Sequence, residues 1–339
     1  MNDIKLLKVL FFLVPITLVA VSLWPLSRDY ENYLSLFESL GNFADVFDQY
    51  YQNDLIIPLI FYCIQNSTLS FVLIISLALF MKIYFFRSIS DFYWIALLLY
   101  LARFFLLHDV TQIKVSLASG LLALAYISIY RQGYFGGLIF LVTGVFTHIS
   151  ILLYVPIILL SATVSNPRLI MRWLITLSFA ILTINQVIDL GAFLEYIIKS
   201  TSALDNLRIL NYLEDVGSLD SPVGVYMFIK VFFILYAAFL FKNISISPNA
   251  NQQTYRVGII VIFSLLIFFL FRNFSYPIAA RFSEIVAPFE AVFLANSFYM
   301  ISKEISAFDR SAMLSRIIFI SLSSFVATLV FIPQLNLLQ

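Results

Sequence analysis

Residues 135–160, FGGLIFLVTGVFTHISILLYVPIILL, decide the topology of this chain, because the run can be threaded through a membrane in two ways. It holds 26 residues, with Gly144 and His148 near its middle. A hydrocarbon core of about 30 Å takes roughly 20 residues of helix, so the run is either one tilted helix or a hairpin of two short ones. The choice inverts every later loop. Lysine and arginine counts choose between the two, because cytoplasmic loops carry an excess of both. The hairpin places Lys5, Lys8, Lys82, Arg87, Arg131, Arg168, Arg172, Lys242, Arg256, Lys303, Arg310 and Arg316 inside, 12 of the 20 cations. Outside it leaves Arg28, Arg103, Lys114, Lys199, Arg208, Arg272 and Arg281, with Lys230 mid-span. A single crossing would send the inside cations from Arg168 onward to the outside. The hairpin is therefore expected, with the N-terminus inside, the C-terminus outside and His148 near the outer surface.

The rest of the chain fits that frame. Of its 339 residues 62% are apolar and 12% charged, at a mean hydropathy of +0.97, which a soluble domain of this length would not carry on its surface. A single all-α, polytopic membrane domain over residues 1–339 is expected, with about 10–11 transmembrane helices. Besides the hairpin, spans fall near Leu7–Leu26, Ser67–Phe86, Phe92–Leu107, Val115–Tyr130, Ile170–Ile188, Val223–Phe241, Val257–Phe271, Ile285–Ile301 and Ile317–Ile332. Leu55–Gln65 is too short to cross and reads as a half-helix leading into the second span. The first run follows Lys5 and Lys8 like a secretory signal, yet it is longer than an h-region and lacks a small-x-small cleavage site, so it reads as a retained anchor.

Several function classes drop out. The net charge is +1 and no basic run is present, which argues against nucleic acid. Cys63 alone cannot form a disulfide within the chain, and His108 and His148 are too few for a Cys/His metal site. No P-loop or dinucleotide glycine pattern occurs, so no nucleotide cofactor is expected.

Two longer outer loops follow from the topology. The first, 27–54, carries Asp29, Glu31, Glu38, Asp45, Asp48 and Asp54 among Tyr30, Tyr33, Phe37, Phe43, Phe47, Tyr50 and Tyr51. Aromatic faces and carboxylates suit a glycan platform, with Asp29, Tyr30 and Tyr33 as candidates, although an interfacial aromatic belt has the same composition. The second, 189–221, contains an amphipathic stretch in which Leu204, Leu207, Leu210 and Leu213 recur at helical spacing.

The intramembrane charges cluster. Arg103, Lys114, Lys230, Arg281, Glu284 and Glu290, with His148, fall in the outer halves of helices and suggest one polar chamber opening outward. The segment from Arg103 through His108, Asp109, Thr111, Gln112 and Lys114 joins two spans almost without a loop, and reads either as a snorkelling turn or as a cationic phosphate site. Ser116, Ala118, Ser119 and Gly120 follow it, small enough for another helix to approach closely.

Thr111-Gln112-Ile113-Lys114-Val115-Ser116-Leu117-Ala118 resembles the T-Q-I-R-x-x-x-A segment of the EpsG/Wzy-like polysaccharide polymerases. Phe146-Thr147-His148-Ile149-Ser150 is similar to their F-x-H-x-S segment, and Asp29-Tyr30-x-x-Tyr33 and Arg281-Phe282-Ser283-Glu284 also match in order. One departure is Lys114, where the family usually has arginine; the charge stays but the bidentate fork is lost. The resemblance implies a glycosyltransferase of the bacterial inner membrane, independent of metal and nucleotide. Such an enzyme joins undecaprenyl-diphosphate-linked repeat units into O-antigen, capsular or exopolysaccharide, alongside a flippase and a chain-length regulator. Glycosyl transfer needs cations on the departing diphosphate and a base on the acceptor hydroxyl. Lys114 and Arg281 lead for the first role, with Arg103 and Arg272 behind them, and Arg281 is also placed with the catalytic groups. His148 and Glu284 are the candidates for the second, although Glu284 also suits orienting Arg281 three residues away. Gln112, Lys230 and Glu290 are supporting residues, the last two as a possible structural ion pair.

Other classes remain open. A lipid-linked oligosaccharide flippase or other transporter would need a polar chamber too, but no internal repeat is visible. A GT-C-type transferase using a lipid-phosphate sugar would fit the D-x-E pattern of Asp29-Tyr30-Glu31. A membrane acyltransferase is disfavoured by the outward place of His148 and the lack of a second histidine near it.

Overall fold

A computed structural model describes residues 3–27, 29–47, 55–187, 248–272 and 275–309. The described residues are helical with no strand, as the periodicity-free apolar runs require when every backbone group must be satisfied inside lipid. Among the described residues four helices are long and apolar enough to cross a membrane, Ser67–Ile89, Ile113–Tyr130, Pro167–Ile184 and Gln252–Phe271, and two bent pairs raise the number to six if each is one span. The protein is a polytopic helical membrane protein. The expected spans Val223–Phe241 and Ile317–Ile332, the second outer loop at 189–221 and Lys230 lie outside the described residues.

The chain forms two compact units, one drawn from Met1–Thr163 and Ala287–Gln339, the other from Val164–Val286. The first begins with α1 (Asp3–Leu23) and a 3-10 turn, Trp24–Leu26. The segments Phe11–Leu26 and Tyr30–Glu38 (α2) then meet at 87°. The half-helix expected at 55–65 is present as α3 (Ile56–Ile64), closed by Gln65 in the left-handed region at φ 52°. Asn66 then caps α4 (Ser67–Ile89), its side chain accepting from the Leu69 N–H at 2.9 Å.

Next come α5 (Tyr93–Arg103) and a π-helical turn, Phe105–Thr111, bent by 73° from it. Gln112 starts α6 (Ile113–Tyr130), which packs tightly on α4: a Cβ on Gly120 would sit 3.2 Å from Met81 Cβ and 3.3 Å from the Ala78 carbonyl. A turn with Gln132 at φ 64° leads into α7 (Tyr134–Thr147), which lies against α6.

Residues 135–160 are broken near their middle. His148 is extended (φ −160°, ψ 113°), followed by a 3-10 turn, Ile149–Tyr154, and α8 (Val155–Thr163). An added Cβ at Gly144 would touch Ile151 at 3.4 Å, whereas a continuous helix separates residues seven apart by about 10 Å along its axis. The run is therefore not one continuous helix, and the chain bends at His148.

The unit is completed by α12 (Ala287–Asp309), whose Phe289 ring wedges between Phe85 (4.7 Å) and Tyr126 (5.6 Å). The Ser90 hydroxyl donates to Asn296 Oδ1 at 2.6 Å and ties the end of α4 to this helix. In the second unit α9 (Pro167–Val187) packs on α10 (Pro248–Phe271), and α11 (Tyr276–Glu284) follows.

Candidate functional site

The π-turn is the centre of the first unit's polar chemistry. Its widened backbone is marked by the Gln112 N–H donating to the Leu107 carbonyl at 2.8 Å, five residues back. Such turns inside helices occur frequently at functional sites. Here the turn swings Asp109 into the protein and delivers Thr111, Gln112 and Lys114 to the start of α6.

Asp109 is fully buried and meets Lys82, also fully buried, at 2.6 Å. Lys82 Nζ donates to Asp109 Oδ1, to Tyr100 OH at 2.7 Å and to Ser116 Oγ at 2.6 Å, so each of its three protons has an acceptor. The Tyr100 hydroxyl donates onward to Asp109 Oδ2 at 2.7 Å, and the Ser116 hydroxyl donates to Asp109 Oδ1. Four elements, α4, α5, the π-turn and α6, are thereby pinned to one carboxylate. This corrects the place given to Lys82 by the loop count. It is not a cation at the inner surface but half of an ion pair at membrane depth. A lysine four residues from the end of an apolar span was assumed to reach the interface; Asp109, which supplies its counter-charge, sits 27 residues away in sequence and only the bend brings it back.

A second pair lies close by in the chain. Arg103 Nη1 stands 2.8 Å from Glu290 Oε2, the two side chains 8% and 1% exposed, with the guanidinium 4.6 Å from the Phe104 ring centre. Among the described residues Arg103 is therefore the cation that neutralises Glu290. The snorkelling reading of residues 103–114 does not hold either, since Arg103, His108 and Asp109 are all buried. His108 packs on Phe104 at 5.4 Å, and neither ring nitrogen makes a hydrogen bond among the described residues.

Lys114 is in a different setting. It is half-exposed in the first turn of α6, and Gln112 provides no side-chain cap there. A helix start gathers unsatisfied N–H groups and positive dipole, and a lysine on top of it adds a whole charge. Both favour an anion. The antiparallel packing of α6 and α7 brings the end of α7, and with it half-buried His148, to the same end of the unit as Lys114. The Leu55 N–H donates to the Phe146 carbonyl at 2.9 Å, which fastens the start of α3 beside that break.

The first loop is used partly for packing. Tyr33 is buried with its ring 6.4 Å from Phe71, Tyr30 is half-buried against Trp24 at 4.5 Å, and Asp29 is half-buried just ahead of α2. In the second unit Arg281 and Glu284 share the last turn of α11, Arg281 half-exposed and Glu284 buried. The Phe271 and Phe282 rings meet at 5.5 Å, so the segment carrying Arg272 runs beside the one carrying Arg281.

The EpsG family profile matches residues 5–338. The chain belongs to the EpsG family. The match runs through both units, including the π-turn, the His148 break and α11. Membership supports a polysaccharide repeat-unit polymerase-like function in general. Comparison with curated proteins and with solved structures returned no match.

Of the residues reasoned from sequence, Lys114, Gln112 and His148 stand at one end of the first unit, and Arg272, Arg281 and Glu284 are grouped within the second. No group of three or more His, Cys, Asp or Glu suited to a metal occurs among the described residues. Sequence reasoning missed Tyr100 and the joining of Lys82 and Ser116 to Asp109. The available signal was the depth of Lys82 in its span, since an intramembrane charge calls for a partner.

Proposed function

We propose that this EpsG-family protein is a glycosyltransferase that joins undecaprenyl-diphosphate-linked oligosaccharide repeat units at the outer face of the bacterial inner membrane, without metal or nucleotide. The observation that carries this reading is Lys114 in the first turn of an uncapped helix, at the end where the chain breaks at His148. A diphosphate leaving group needs fixed positive potential at the moment its charge develops, and a lysine on a helix start supplies it without reorganisation. Arg281 and Arg272 remain candidates for binding diphosphate, and Arg103, already matched by Glu290, is assigned to support. His148 and Glu284 are the candidate bases for the acceptor hydroxyl, and Asp29 and Tyr30 remain candidates for glycan contact. The N-terminus is assigned to the cytoplasm and the C-terminus to the periplasm. Lys82 no longer counts as an inside cation, but eleven of the original twelve still favour that orientation.

The test is to delete the gene and resolve the surface polysaccharide on a gel. Loss of the long ladder with a single capped repeat unit remaining fits a polymerase. Complete loss of surface glycan, with lipid-linked units held on the inner leaflet, fits a flippase and overturns the reading. In the complemented strain, Arg281→Ala should abolish extension while the protein stays in the membrane; a near-normal ladder removes Arg281 from its role.

A further inference from the structure

The end of α2 and the end of α3 enclose a cleft of about 310 Å³, lined by Phe37, Glu38, Gly41, Phe61, Tyr62 and Gln65 among others. That size lies at the small end of sites for organic ligands. Its rings are fixed from behind. Phe61 is buried against Phe71 at 5.1 Å and holds Phe37 edge-on at 5.6 Å, while Tyr62 leans on Phe43 at 5.6 Å.

The polar rim is equally specific. The Asp45 carboxylate is consumed in a capping box, accepting from the Gly41 and Asn42 N–H groups at 2.7 Å each while Asn42 Oδ1 accepts from the Ala44 N–H at 2.8 Å. Glu38 is exposed and makes no hydrogen bond or ion pair among the described residues, so its carboxylate is the acidic group left to the cleft. Gln65 sits opposite in a left-handed backbone that glycine or asparagine usually fills, a kind of strain that clusters at ligand sites.

These features select a ligand class. A phosphate would need a cation, and the lining has none but does have Glu38. A lipid chain would need a uniformly apolar wall, and Glu38 and Gln65 interrupt it. A pyranose ring presents an apolar C–H face to an aromatic ring and hydroxyls at its edge to a carboxylate and an amide. The cleft also has a fixed relation to the proposed reaction end. It lies about 10–15 Å along α3 from Leu55, which bonds the Phe146 carbonyl two residues before His148.

We infer that the cleft between α2 and α3 is a saccharide subsite, which grips a sugar ring of the oligosaccharide at some distance from the reacting unit. The inference rests on the polymerase reading. Glu38 and Gln65 hold hydroxyls, and Tyr62 and Phe37 receive the apolar face.

The experiment uses the full chain in nanodiscs and, as probe, the oligosaccharide released by mild acid from the polysaccharide of the strain that encodes it. Binding is read by saturation-transfer NMR, and chain length by the surface glycan ladder. The wild type should bind. Tyr62→Ala and Glu38→Ala should each weaken binding tenfold or more and shift the ladder to shorter chains, while Tyr62→Phe stays within twofold because the ring does the gripping. Glu38→Gln, on an exposed side chain, guards against loss of fold and should also weaken binding. No wild-type binding, or Tyr62→Ala and Glu38→Ala binding like the wild type with an unchanged ladder, overturns the subsite. Lys114→Ala separates the two proposals. It should bind the oligosaccharide normally yet give no extension, and binding that depends on Tyr62 beside a deletion strain with no surface glycan and lipid-linked units held on the inner leaflet would keep the cleft and sink the polymerase.

Discussion

Asp109 and Lys114 stand five residues apart, and the fold gives their charges opposite surroundings. Asp109 is sealed, with Lys82, Tyr100 and Ser116 occupying both of its oxygens in a space water does not enter. Lys114 is half-exposed at a helix start whose own N–H groups already favour an anion. Inside a bilayer a charge is tolerated when it is matched or wetted. The sealed one organises helices; the half-exposed one stands where solvent reaches it, at a helix start. Depth alone does not distinguish them, and the π-turn between them does.

The largest expected effect comes from breaking the sealed pair. Lys82→Met alone leaves a buried carboxylate without its cation, and Asp109→Leu alone leaves a buried ammonium, so each should cost about 3–5 kcal/mol. The double variant removes both charges and should recover most of that loss. Thermal unfolding of the detergent-purified protein measures it. A double variant no more stable than the worse single would show that the two charges act independently, and the sealed half of the comparison would fail.

Tyr100→Phe probes the same network more gently. The hydroxyl accepts from Lys82 and donates to Asp109, so its removal strips one partner from each while leaving the ion pair in place. A cost of about 1–3 kcal/mol is expected. A melting temperature equal to the wild type would mean that the bridging hydroxyl is dispensable and that the pair alone pins the turn.

The sequence made the helices legible because each is an apolar run bounded by charge or by a capping residue. The break at His148 was legible from cation counting, and the half-helix α3 from its length. The family was legible where motifs carried it, at Thr111 to Lys114, at Phe146 to Ser150 and at Arg281 to Glu284. The partnership of Lys82 was not, because its counter-charge comes from a bend that periodicity does not announce. The same holds for Arg103 and Glu290, 187 positions apart in the chain and joined only by the packing of α12 on α5. Tyr33 belonged to a motif-like pattern, yet its ring fills the core beside Phe71. Aromatic composition alone cannot tell a ring that packs from one that faces a ligand.

The smallest expected effect on stability is also the sharpest test of the contrast. Lys114→Ala removes a half-exposed cation that works against the dipole of its own helix, so a structural cost of no more than about 1 kcal/mol is expected. Chain extension should nevertheless be lost, because the anion then faces only the helix start. Lys114→Arg keeps the charge and adds a planar fork suited to phosphate oxygens, so it should retain most extension. Melting and the glycan ladder, measured on the same variants, give the two readouts. If Lys114→Ala melted several degrees lower, Lys114 would belong with Asp109 as part of the scaffold. If Lys114→Arg were as inactive as alanine while folding normally, the site would require a point charge in a space too narrow for a guanidinium, and the anion would be held by the helix start more closely than a loose electrostatic contact allows.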